Sequence, residues 1–219
     1  MKIAFTGPAH VGKTAMTQHL VSYYHKRHFA YVNYTDAIKE VLAEVLAPLQ
    51  QEPAVAVLAD IHNNKELYRS SLRKLGYECG FDSGERIEPL LVENLGSDWA
   101  KQNIVFDNLR YDGQTVVARS LGFTVVELVR EGVFYLPEEP RVDSKLIDLR
   151  YTLHEGQMHM DSVELLRLVE SLHREMEENS VYAHRYSTLT KELSQHNVVY
   201  GSPIPLSGHR DDGAKPTKG

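Results

Sequence analysis

Short continuous apolar runs alternate along this chain with longer stretches in which apolar positions recur at helical spacing. That is the pattern of strands buried on both faces and joined by amphipathic helices. The runs are 2–6 (KIAFT), 29–34 (FAYVNY), 103–107 (NIVFD) and 123–129 (FTVVELV). After the first, Met16, Leu20 and Val21 mark a helix. Ile38, Val41, Leu42, Val45 and Leu46 form the apolar face of a second helix over 37–47, with Thr35 or Asp36 as its cap and Pro48 as its stop. A third helix is expected over 65–75, closed by Gly76. A fourth covers 85–100, with Ile87, Leu90, Leu91, Leu95 and Trp99 as its buried stripe. A short helix through Val116, Val117 and Leu121 ends at Gly122. Residues 50–53 read as a loop, and 54–59 fit either a helical turn or a buried strand. Regularity is lost over 130–157, where Pro137 and Pro140 stand among basic residues. It returns as helices over 162–178 and 182–193 and a brief strand over 197–200. The tail from 207 has too little apolar content to fold and is expected to be disordered.

Between the first run and its helix lies Gly7-Pro8-Ala9-His10-Val11-Gly12-Lys13-Thr14, a complete G-x-x-x-x-G-K-T in strand–loop–helix context. The glycines let the backbone turn tightly and come close to an anion. The N–H groups of Gly7, Ala9, His10, Val11, Gly12, Lys13 and Thr14, with the helix N-terminus behind them, suit a nucleotide's phosphate chain. Lys13 would reach the β- and γ-phosphates and the Thr14 hydroxyl would hold Mg²⁺. The expected fold is therefore α/β: a doubly wound parallel sheet of about five strands flanked by helices, of the P-loop NTPase type. One domain over 1–206 accommodates it.

Three further groups of residues belong to this picture. Asp107 ends a buried strand, where a P-loop protein brings an acid to the Mg²⁺–phosphate site; the alternative is a capping aspartate. Asp36 begins a helix where a strand ends, which suits either a cap or the ligand crevice of an open sheet. Arg69 and Arg73 lie four apart on one helix face and can clamp a phosphate together, or belong to a solvated charged face. Arg141, Lys145 and Arg150 make 131–157 a candidate basic lid, or an ordinary surface excursion.

Composition narrows the setting. A chain of 219 residues with 42% hydrophobic and 25% charged residues can bury a core, and no apolar run approaches the length of a membrane span. The first residues lack a signal-peptide pattern. The single cysteine, Cys79, rules out an internal disulfide and suits a reducing cytosol, so a cytoplasmic protein is expected. A net charge of −6 weighs against a dedicated nucleic-acid binder, though it leaves room for a local basic cleft. The 11 histidines fall into no metal-ligand spacing.

Several blocks resemble the phage-type deoxynucleoside monophosphate kinases. Asp107-Asn108-Leu109-Arg110 is similar to that family's D-x-R segment. A helix ending Arg119-Ser120-Leu121-Gly122 and a strand running into Val129-Arg130-Glu131-Gly132 follow in the family's order. Asp36-Ala37-Ile38-Lys39 and Arg69-Ser70-Ser71-Leu72-Arg73-Lys74-Leu75-Gly76 are similar to two of its acceptor-side segments. The resemblance spans roughly 1–132. It departs at Ala37, where a proline is common, at Gln114, where an acid is usual, and at Tyr77-Glu78, which replace a frequent Thr-Asp. The departures all fall on the acceptor side.

The resemblance implies transfer of the ATP γ-phosphoryl group to a (deoxy)nucleoside 5′-monophosphate, with Mg²⁺ as cofactor and host cytoplasm as the setting if the protein is phage-encoded. It implies Lys13, Asp107 and Arg110 as catalytic, and Asp36, Arg69, Arg73 and Arg110 as acceptor-binding within a helical region over about 36–100. A homodimer is compatible with it. Two other readings share the phosphate-binding loop. One is a kinase for another acceptor, such as a modified base in DNA, a nucleoside or a coenzyme precursor. The other is a non-kinase NTP-dependent switch.

Overall fold

The computed structural model describes residues 1–24 and 27–195, with side-chain surroundings given through Ser180. Its centre is a five-stranded, all-parallel sheet in the order β2-β3-β1-β4-β5. The strands are β1 (Lys2–Thr6), β2 (Phe29–Asn33), β3 (Asn103–Asp107), β4 (Thr124–Arg130) and β5 (Leu149–Leu153). The inner strands β1, β3 and β4 carry near-continuous apolar sequence because helices cover both their faces. On one face Ile3, Phe5, Val105, Val126 and Leu128 pack with Met16 and Leu20 of α1 (Lys13–Tyr23) and with Leu165, Leu166 and Val169 at the start of α7 (Met158–Gln195). On the other, Ala4, Ile104, Phe106 and Val125 pack with Tyr34 of α2 (Tyr34–Gln50), Ile87 and Leu91 of α5 (Ile87–Leu95) and Ala118 of α6 (Asp112–Ser120).

The remaining helices, α3 (Ala54–Asn63) and α4 (Lys65–Glu78), form with α2 a small separate core of Leu42, Ala43, Val57, Ile61 and Leu72. Among the described residues no single helix is long and apolar enough to cross a membrane. Only α2 and α3 taken together reach that composition, across a 117° bend. The chain divides into two units, 1–171 and 172–219. Of the second, the described part is the run of α7 through Gln195.

The structure departs from the sequence expectations in several elements. The fifth strand is Leu149–Leu153, inside the stretch expected to be irregular; the strand anticipated at 197–200 and the tail from 207 lie outside the described residues. Leu149–Leu153 alternates exposed and buried side chains as an edge strand does, so it carries no continuous apolar signal. Asn33, rather than Thr35 or Asp36, caps α2: its side-chain oxygen accepts from the backbone N–H groups of both. Pro48 does not stop that helix, which runs on to Gln50. Its last turn is exposed, so the carbonyl deprived of a partner can turn to water. Gly76 lies within α4, which ends at Glu78. Residues 54–59 are helical, and the expected 85–100 helix is α5 followed by a short 3₁₀ turn at Trp99–Lys101. The two helices anticipated over 162–193 are one.

Candidate functional site

The chain leaves β1 toward β2 on one side and leaves β3 toward β4 on the other, so the direction of winding reverses between the adjacent strands β1 and β3. Crevices at such a reversal, beyond the carboxyl ends of the strands, are where open α/β sheets bind ligands. The glycine loop follows β1 here, and Asp107 ends β3.

The loop is held by geometry only its residues allow. Gly7 has φ +131°, and a Cβ there would stand 2.4 Å from the Leu128 carbonyl oxygen of β4. His10 adopts a left-handed φ of 61°, and Gly12, at φ 114°, is the N-cap of α1. Val11 is fully buried and anchors the loop in the core. Lys13 folds back so that its Nζ donates to the carbonyls of Gly7 and Pro8, both at 2.8 Å. The lysine is only 7% exposed, and burial, helped by the nearby Arg110 charge, lowers its pKa to about 8 against the pull of Glu139 and Asp107. A buried ammonium paired only with carbonyl dipoles is a site for an anion.

At the end of β3, Asp107 is completely buried. Its Oδ2 accepts from the Thr14 hydroxyl at 3.3 Å and the Tyr31 hydroxyl at 3.2 Å, while its Oδ1 has no partner. Burial pushes this carboxyl up, against the lowering effect of the two hydrogen bonds. An orphaned carboxylate oxygen beside a threonine hydroxyl is a hard-oxygen donor set that fits Mg²⁺, which keeps most of its waters and leans on few protein ligands. Among the described residues no group of three or more His, Cys, Asp or Glu converges on one point, so this pair needs a ligand's oxygens to complete a cation site.

One cavity of about 510 Å³ opens from the loop across the sheet edge to α4. It brings Ala9, His10, Gly12, Lys13 and Thr14 together with Arg69, Arg73 and Arg110, residues far apart in the chain. Lys65, which the sequence reading passed over, joins them; its ammonium is destabilised by burial and by Lys39, Arg110 and Arg69. Arg69 is engaged by Glu66 through two guanidinium nitrogens, whereas Arg73 and Arg110 have no carboxylate partner among the described residues. Lys74 instead faces Glu78, 3.8 Å away. Asp36 does not line the cavity; it accepts from Asn33 and Lys39 at 2.7 Å each and secures the start of α2.

The three lid candidates are placed elsewhere. Arg150 lies on β5 and pairs with Glu127 at 2.6 Å, Arg141 stacks 4.6 Å from the centre of the Tyr135 ring, and both line a second cleft. Lys145 lines neither cleft. What the segment presents to the main cavity is acidic: Glu138 and Glu139. The Glu139 Oε1 accepts the backbone N–H of Ala9 at 2.8 Å, so a carboxylate sits on the glycine loop as an anion would.

Gln114 holds the acceptor-side wall together. Its Oε1 accepts from the Arg110 N–H at 2.8 Å and its Nε2 donates to the Phe81 carbonyl at 3.0 Å, an oxygen that also accepts from the Tyr34 hydroxyl at 2.7 Å. A carboxylate at 114 could accept from Arg110 but could not donate to Phe81. The amide therefore ties the loop after β3 to the turn after α4. No family model matches the chain, and no curated protein does.

Proposed function

We propose that this protein is a P-loop kinase that transfers the γ-phosphoryl group of Mg²⁺-ATP to a nucleoside 5′-monophosphate. The observation that carries this reading is a single cavity that gathers Lys13 and the loop N–H groups with three further cations, Arg73, Arg110 and Lys65. A kinase for a phosphorylated acceptor needs cations for the acceptor's phosphate beyond those that hold the donor's. The placement of the glycine loop after the central strand β1, beside an acid ending β3, supports the P-loop form of the α/β fold.

In this reading the loop N–H groups and Lys13 bind and orient the β- and γ-phosphates. Thr14 and Asp107 would hold Mg²⁺, which supplies charge neutralisation on the transferring group when bound. Arg73 and Arg110, which have no carboxylate partner among the described residues, receive the acceptor phosphate, with Arg69 released from Glu66 as a further contact. Such transfer rests on positioning and electrostatics rather than covalent chemistry, so each cation acts by where it stands.

The direct experiment is incubation with Mg²⁺-ATP and each common ribo- and deoxynucleoside monophosphate, following ADP and the new diphosphate. One or a few acceptors should yield diphosphate, and acceptor-independent ATP hydrolysis alone would overturn the proposal. Asp107→Ala should lower kcat by about 100-fold or more and raise the Mg²⁺ concentration needed for half-maximal rate. Glu139→Gln should lower the KM for ATP by about threefold to tenfold, because the carboxylate that occupies the Ala9 N–H has lost its charge. An unchanged KM would show that Glu139 does not compete with nucleotide.

A further inference from the structure

Asp82 lines the same cavity, yet its carboxylate has neither a hydrogen-bond nor an ion-pair partner among the described residues. Of the other acids lining that cavity, Glu66 holds Arg69 and Glu139 holds the Ala9 N–H, while Glu138 is exposed on the irregular segment after β4. No cation draws its pKa down; partial burial alone pushes the carboxyl up. Tyr111 lines the same cavity within electrostatic reach of all three groups: burial and the Asp82 charge push its phenol up, against the pull of Arg110 and Arg73. The cavity thus holds this acid along with the cations proposed for the acceptor phosphate.

The backbone at Asp82 is fixed with unusual closeness. The N–H groups of Phe81 and Asp82 both donate to the Gly76 carbonyl, at 2.9 and 3.3 Å. The first turn of α6 packs backbone to backbone against this turn: a Cβ on Gly113 would stand 2.9 Å from the Ser83 carbonyl oxygen and 3.1 Å from that of Asp82. The carboxylate lies over Gly76 of α4, where a Cβ would come within 3.3 Å of its Oδ1. A rigid turn thus fixes the carboxylate against a bare glycine, with Ile38 and Leu72 among the apolar residues lining the same cavity.

We propose that Asp82 reads the base of the acceptor nucleotide and selects guanine. This rests on the monophosphate-kinase reading above and adds the identity of the acceptor. A carboxylate only accepts hydrogen bonds. Among the common bases, guanine alone offers two adjacent donors on one edge, N1–H and N2–H, matching two carboxylate oxygens. Thymine and uracil offer one N–H between two carbonyls, which a carboxylate repels. With the acceptor phosphate on Arg73 and Arg110, Tyr111 and Asp82 of the same cavity are left to meet the base. Discrimination built on such a paired contact is substantial, because the wrong base leaves the half-buried acid unpartnered.

The test compares kcat/KM for dGMP, dAMP, dCMP and dTMP, each with Mg²⁺-ATP, in the wild type and in Asp82→Asn. The Asp82 side chain makes no hydrogen bond or ion pair among the described residues, so the variant should fold, and an unchanged melting temperature verifies this. The wild type should favour dGMP. In Asp82→Asn the ratio of dGMP to dTMP should fall by about 100-fold, partly through faster turnover of dTMP, whose carbonyl the new amide N–H can meet. A wild-type preference for another base, or an equal loss on all four, would overturn the assignment while leaving the kinase reading intact. Failure of every monophosphate to react would remove the kinase reading itself, and this inference with it.

Discussion

Lys13→Met should abolish phosphoryl transfer, lowering kcat/KM by about 1,000-fold or more, without lowering the melting temperature of the protein free of nucleotide. The two expectations have one origin. Lys13 is buried against carbonyls rather than an acid, and its pKa falls from 10.5 to about 8. The depression corresponds to about 3 kcal/mol of unfavourable charge burial at neutral pH. Methionine removes that cost along with two hydrogen bonds to the loop carbonyls, each worth about 1–3 kcal/mol, and the two changes nearly cancel.

The pH dependence follows with a definite sign. Between pH 8 and 10.5 the unfolded chain binds this proton more tightly than the folded one, so stability without nucleotide rises with pH across that window and is lowest below it. Nucleotide affinity runs the opposite way. Phosphates favour the charged lysine, so binding is full below pH 8 and weakens as pH rises through that value. Calorimetry in buffers of different ionisation enthalpy should detect proton uptake on ATP binding near pH 8 in the wild type and none in Lys13→Met. Equal uptake in both would assign the proton to another group.

Gly7→Ala should cost about 3–5 kcal/mol, lower the melting temperature by about 10 °C or more, and eliminate ATP binding. Two penalties combine: a left-handed φ of +131° and a methyl group placed 2.4 Å from a β4 carbonyl, which is part of the sheet. Gly96 separates them. It has φ +79° and ψ 179°, backbone that favours glycine, but nothing within 4 Å of the added carbon, so Gly96→Ala should lose only about 1–3 kcal/mol. Chemical denaturation of the two variants measures the difference. Equal losses would mean that the contact with Leu128 is relieved by a small backbone shift.

The parts of this molecule legible in the sequence are those encoded within a few residues. Strands β1, β2, β3 and β4 announce themselves as apolar runs, and the glycine loop lies entirely within eight positions. Asp107 could be singled out because it ends such a run, and Arg69 with Arg73 because four residues make one helical turn. Strand β5 was hidden by its edge position, where only alternate side chains are buried. Glu139 was invisible for a different reason. Its partner Ala9 stands 130 residues away, and nothing local in an irregular segment with several acids marks one glutamate for the loop. Asp82 and Gln114 likewise owe their roles to the packing of α6 against the turn after α4, a contact between segments some thirty residues apart.

The carboxylate of Glu139 on the Ala9 N–H also sets a threshold for what can enter. Being part of the chain, this rival is never diluted; an incoming ligand must outbid an occupant whose local concentration is fixed by its tether. A single inorganic phosphate offers one contact in exchange for one and gains little. On the proposed kinase reading, a triphosphate would reach several N–H groups and Lys13 at once and displace the occupant with contacts to spare. The loop would then act as a filter on the number of linked phosphates, turning away small anions.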